Sequence, residues 1–175
     1  MNEEQYSRAN KRVLLAIVVV FGYIAATLML ALVVSQGGHA SKIMMEAVTA
    51  AAVIVISVAA YLGKRTTRTC AVIMTLSMMI GYFVIVQLNT TVGTWTYGLP
   101  LLIAAMVYLD KKIVMMTNGI ALVAIIVHLV RCFLGGGSDL RNNVIGLFVL
   151  LLTAYACNSA ERLLERFFKE TLEQT

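Results

Sequence analysis

The chain is short of charge. Aspartate, glutamate, lysine and arginine make up 13% of its 175 residues, where a soluble domain carries roughly a quarter. Most of its surface therefore faces something other than water. It has one proline, Pro100, and two histidines, His39 and His128. With so few proline breakers, long uninterrupted helices are open to it. The catalytic patterns that need clustered polar residues are missing too: there is no HExxH, no GxSxG and no close pair of acids. The glycine run Gly135-Gly136-Gly137 leads into Ser138-Asp139, not into a phosphate-binding lysine. The three cysteines, Cys70, Cys132 and Cys157, are odd in number and have no CxxC spacing. They fall in or beside apolar runs, so they read as small buried side chains rather than a disulfide framework. No enzyme activity, cofactor or metal is expected.

What is abundant is apolar: 60% of the residues, with a mean hydropathy of +0.86. The net charge of +5 does not point to nucleic acid, because the bases sit in short clusters between apolar runs, as membrane topology requires. Crossing the ~30 Å apolar core takes about 20 apolar residues as a helix, and barrel strands would alternate where these runs do not. Val13–Val34 has 22 residues without a charge, too long for the ~7–15-residue core of a signal peptide. The expected fold is an all-α bundle of six transmembrane helices, at about 13–34, 43–63, 70–88, 96–109, 113–134 and 143–160.

The third and fourth spans follow from length. Thr69–Leu109 holds 41 residues with no charge, about 60 Å of helix at 1.5 Å per residue. It must fold back, and Asn89-Thr90-Thr91-Val92-Gly93 supplies the turn formers. Asn89-Thr90-Thr91 also matches a glycosylation pattern and reads as chance. Eleven of the bases (Arg8, Lys11, Arg12, Lys64, Arg65, Arg68, Lys111, Lys112, Arg162, Arg166 and Lys169) then fall on one side. Three (Lys42, Arg131 and Arg141) fall on the other. The richer side is the cytoplasm, with both termini in it.

Beyond the last span, residues 161–175 read ERLLERFFKETLEQT. Leu163, Leu164, Phe167, Phe168 and Leu172 recur at helical spacing. This is an amphipathic cytoplasmic helix, lying on the membrane surface or starting a coiled coil through which a homodimer would form. Small-residue pairs four apart (Gly22/Ala26, Ala47/Ala51, Ala59/Gly63, Ser77/Gly81) suit close helix approach.

Ionisable groups within spans are the candidate site. Glu46 and Arg131 lie near the outer boundary. With Gln87, Trp95, Tyr97 and His128 they would ring an outward-facing pocket for a small ligand, and Glu46 and Arg131 would pair across it. Snorkelling to the headgroups is the plainer reading of the two charges. His39 falls in an outer loop and reads as solvated. His128 and Cys132, four apart, share a helix face and read as part of an inward stripe with Asn118 and Ala121. A Cys/His nucleophile pair or half a metal site would need a third partner, which the sequence does not identify.

Several stretches resemble the membrane-embedded N-terminal part of clostridial-type methyl-accepting chemotaxis proteins. They are Glu4-Gln5-Tyr6-Ser7-Arg8-Ala9-Asn10-Lys11, Lys64-Arg65-Thr66-Thr67-Arg68-Thr69-Cys70, Gln87-Leu88-Asn89-Thr90-Thr91, Tyr97-Gly98-Leu99-Pro100 through Leu109-Asp110-Lys111-Lys112, and the closing helix. The resemblance implies a sensor or anchor module in a bacterial plasma membrane. In that family a cytoplasmic coiled coil, with its methylated glutamates and histidine-kinase contact, follows the bundle. Those segments have no counterpart in this sequence, so no methylation or kinase residue carries over. The alternative is a substrate-binding six-span subunit of a vitamin or metal transporter.

Overall fold

The computed structural model describes residues 3–34, 40–88, 94–135 and 140–173. They form six α-helices: α1 (Glu3–Val34), α2 (Ala40–Lys64), α3 (Arg68–Leu88), α4 (Gly98–Met106), α5 (Lys111–Leu134) and α6 (Leu140–Glu173). A short 3-10 helix, Thr94–Tyr97, leads into α4. No strand occurs among the described residues. His39, the Asn89–Gly93 turn and the Gly136–Asp139 loop lie outside the described residues, as do the side chains of Phe168 and Leu172.

Five of these helices (α1, α2, α3, α5 and α6) are long and apolar enough to cross a membrane. Large apolar side chains stand exposed around them, including Leu15, Val33, Leu62, Phe133 and Leu152. In water such a surface would aggregate; against lipid it is the expected outer face. This is the architecture of a multi-pass membrane protein.

α3 sits at the centre. It packs on α2 along one side and α5 along the other, with α1 and α4 also against it; α1 packs on α2, and α6 on α5 and α4. Its interior face carries Cys70, Ala71, Met74, Met78, Met79, Tyr82, Ile85 and Val86, all essentially inaccessible. Gly81 lets α1 and α2 close on it, since a Cβ there would lie 2.3 Å from Val53 Cγ2 and 3.2 Å from Phe21 Cε1. Ser57 Oγ and Ser77 Oγ join α2 to α3 at 3.0 Å. The Ser77/Gly81 pair therefore lies in a helix contact. The other three small pairs do not act as units: among the described residues Gly22 and Gly63 have nothing within 4 Å of an added Cβ, and Ala26, Ala51 and Ala59 are exposed.

The fourth segment departs from the expected 96–109 span. Its α-helix covers Gly98–Met106, about 13 Å at 1.5 Å per residue. It starts below the end of α3. Tyr82, six residues before Leu88, donates its hydroxyl to the Trp95 carbonyl at 3.2 Å. Gly98 rests on the same ring, where a Cβ would come within 2.9 Å. The short helix thus begins about one and a half turns inside the bundle. Pro100 falls in its first turn, where its missing N–H is tolerated. At the other end Leu109, at φ 48°, turns the chain out of α4. Asp110 then caps α5, accepting from the N–H groups of Lys112 and Ile113.

The connections define two ends. At the near end, Asn10 of α1 donates to the carbonyls of Arg65 and Thr67 at 2.8 and 3.4 Å. Arg68 Nε meets Asp110 Oδ2 at 2.7 Å. Both described chain ends lie on this side. An exposed Arg8–Glu4 pair continues α1 beyond it.

Burial alone would raise the Asp110 carboxyl. The Arg68 hydrogen bond and charge and the two capping N–H groups outweigh that and hold it below the ordinary range. A carboxyl depressed on folding stabilises the fold above its unfolded value and loses that contribution as pH falls through the folded one. Asp110→Asn is therefore expected to lower the thermal midpoint in detergent at pH 7. It should also flatten the loss of stability that the parent shows below roughly pH 4. Parallel melting curves at every pH would contradict this.

Candidate functional site

The polar groups of the far end are built on α5. Asn118, Ala121, Ile125 and His128 recur at three- and four-residue steps, which places them on one helix face, and all four are buried. Cys132 continues the line and is half-buried. The expected inward stripe is present, facing α3 and α6. Toward the near end, Asn118 Nδ2 donates to the Ala154 carbonyl at 3.3 Å and to Asn158 Oδ1 at 3.2 Å, tying α5 to α6.

Three of the six candidate residues meet here. Arg131 Nη1 donates to the backbone carbonyl of Gln87 at 2.6 Å and lies 3.4 Å from its side-chain oxygen. Gln87 Nε2 donates to the Ala124 carbonyl at 2.9 Å. The carbonyls at the end of α3 lack helical partners, and the Arg131 guanidinium covers one of them. The His128 ring is 7% exposed. Its Nε2 lies 3.6 Å from Cys132 Sγ. Asn143 of α6, 5% exposed, donates Nδ2 to the same sulfur at 3.3 Å.

The other candidates stand elsewhere. Glu46, 4% exposed, belongs to α2. Tyr97 lies near Glu46 and near Tyr23 of α1, so these three share the α1–α2 side. Among the described residues α2 and α5 share no extensive contact; α3 packs on both, and Arg131 is engaged with Gln87. Trp95 lies against α6, where a Cβ on Gly146 would come within 2.7 Å of the indole ring. Among the described residues its indole N–H has no hydrogen-bond partner. The expected single ring is thus two polar groups on opposite sides of α3, with Trp95 wedged against α6. Three cavities formed by the described residues have volumes of ≈ 580, 490 and 370 Å³. They lie at the near-end bases and Tyr61, along the α4–α6 face, and at the α2–α3 turn, and none is lined by the six candidates.

Sequence reasoning missed Asn143, Tyr82 and Ser57. Asn143 sits at the lip of an apolar run, where an asparagine reads as a helix start. Only the fold turns it toward Cys132. Compared with known proteins, the chain matches no family model, no curated protein and no solved structure.

Trp95 is the only tryptophan, so its emission reports this packing. Gly146→Val should displace the ring, shift its fluorescence, and destabilise the bundle by about 1–3 kcal/mol through overpacking. Gly119→Val, at a site with nothing within 4 Å among the described residues, should leave both unchanged. Unaltered emission in Gly146→Val would show that the indole is not packed there.

Proposed function

We propose that this chain is the transmembrane input region of a chemoreceptor-like signalling protein, sensing or anchoring at the far end and transmitting through α6. The observation that carries this reading is the continuity of α6. One 34-residue helix, Leu140–Glu173, about 51 Å long at 1.5 Å per residue, starts at the far-end polar cluster and continues past Asn158. Asn143 and Gly146 touch that cluster near one end of the helix. Leu163, Leu164 and Phe167 stand exposed near the other. A shift at Cys132 or Trp95 has a rigid element to act on, and no break in it absorbs the movement.

In this reading α4 with its 3-10 lead makes the sixth crossing. The eleven-base side faces the cytoplasm of a bacterial cell, with both termini there. The tail helices of two chains pair through their apolar residues, and a cytoplasmic coiled coil would carry the signal on to a histidine kinase. The stimulus must favour one arrangement of α6 over another, since a ligand shifts an equilibrium only by its differential affinity.

A second reading is a substrate-binding subunit of a small-molecule transporter. It is favoured by the burial of Glu46 and His128 inside an apolar bundle, where ionisable groups mark ligand paths. One experiment separates the two. Leu163→Cys, in native membranes under mild oxidation, should give a covalent dimer, and the purified protein should carry no equimolar small molecule. A chain that stays monomeric at that position and copurifies an equimolar ligand would overturn the receptor reading and favour the transporter.

A further inference from the structure

The far end holds a thiol in an arrangement that the receptor reading does not use. His128 Nε2 lies 3.6 Å from Cys132 Sγ. In the neutral imidazole tautomer that carries its hydrogen on Nδ1, Nε2 is an acceptor for the thiol hydrogen. Asn143 Nδ2 donates to the sulfur at 3.3 Å. A nucleophile and a base within reach of it are the core of an activated thiol. The amide donor from Asn143 adds a partner for the charge that develops on sulfur as the proton leaves.

Access fits the same role. Cys132 is half-buried and lies two residues from the end of α5, beside exposed Arg131, Phe133 and Leu134. Cys70 and Cys157 are buried at 0% and 4% exposure. Cys157 lies fourteen residues beyond Asn143 on α6, about 21 Å along the helix, and Cys70 is at the near end. Neither can resolve a bond formed at Cys132.

We propose that Cys132, His128 and Asn143 form a reactive-thiol site that takes a small disulfide from the far-end side and holds one half of it as a mixed disulfide. Cys132 Sγ attacks one sulfur of the disulfide as its proton passes to His128 Nε2. The Cys132–sulfur bond forms, the original sulfur–sulfur bond breaks, and the leaving thiolate takes the proton back from His128. Cys132 is oxidised, the departing half is reduced to a thiol, and no other oxidant is needed. A second thiol reverses the step by the same route. The site rests on this geometry alone and does not depend on the receptor reading.

The test uses the whole chain in lipid nanodiscs with uncharged 2-hydroxyethyl disulfide, so that Arg131 does not attract the probe. Mass spectrometry follows each cysteine. Cys132 is expected to react at least about a hundredfold faster in the folded protein than in the denatured chain, the lower end of the range for a positioned base. Cys70 and Cys157 should react more slowly folded than denatured. His128→Ala should abolish the advantage at Cys132, and added imidazole should restore part of it. Asn143→Ala should reduce it. A Cys132 that reacts no faster folded than denatured would overturn the proposal. So would a folded His128→Ala variant that keeps the full rate. If that variant fails to fold, the folded-to-denatured ratio of the parent decides alone.

Discussion

Helices in lipid gain nothing by hiding apolar surface from a solvent that is itself apolar, so close packing and polar contacts must hold them together. In this chain that constraint converges on α3. Gly81 admits Phe21 and Val53, Ser77 bonds Ser57, Tyr82 carries Trp95 and Gly98, and Gln87 holds Arg131. Every other feature of the bundle hangs from those contacts. α1 and α2 close on one side, α5 and then α6 on the other, and α4 is short because it begins at Tyr82 and not at the end of α3. The Arg68–Asp110 pair and the Asn10 contacts to the α2–α3 turn fix the near end in the same way.

Much of this fold is legible in the sequence. The apolar runs at 13–34, 43–63, 70–88 and 113–134 fall inside the observed helices, because a long, mainly apolar run has one stable form in lipid. The break in the 41-residue stretch is legible from its length. The depth at which α4 starts is not, since it depends on Tyr82 meeting a carbonyl thirteen residues on, a contact without periodicity. The small-residue pairs mislead for a related reason. Alanine and glycine suit a lipid face and a helix contact equally, and only burial at Gly81 tells them apart.

The candidate site was half legible. His128, Arg131 and Gln87 stand out as polar residues in apolar runs, and they do come together. Glu46 and Tyr97 have the same signature and lie on the other side of α3. Sequence gives depth along each helix but not rotation around the bundle, so residues at one depth look like one ring. Asn143 shows the converse: nothing marks it until the antiparallel packing of α5 and α6 brings it to Cys132. The outcome is a far end with two polar groups, one of them joined to α6, the helix that runs from there to the near end.

The account stands on α4 completing a sixth crossing. Five long helices alone would leave the chain ends on opposite sides of the membrane; six place them together. The direct measurement is labelling of single cysteines by a membrane-impermeant maleimide in intact and permeabilised cells, in a background with the native cysteines replaced. Arg12→Cys and Arg162→Cys should label only after permeabilisation, and Lys42→Cys and Arg141→Cys should label in intact cells. Labelling of Arg12→Cys and Arg162→Cys from opposite sides would contradict the account. It would mean that α4 enters the bundle and leaves it by the face it came from.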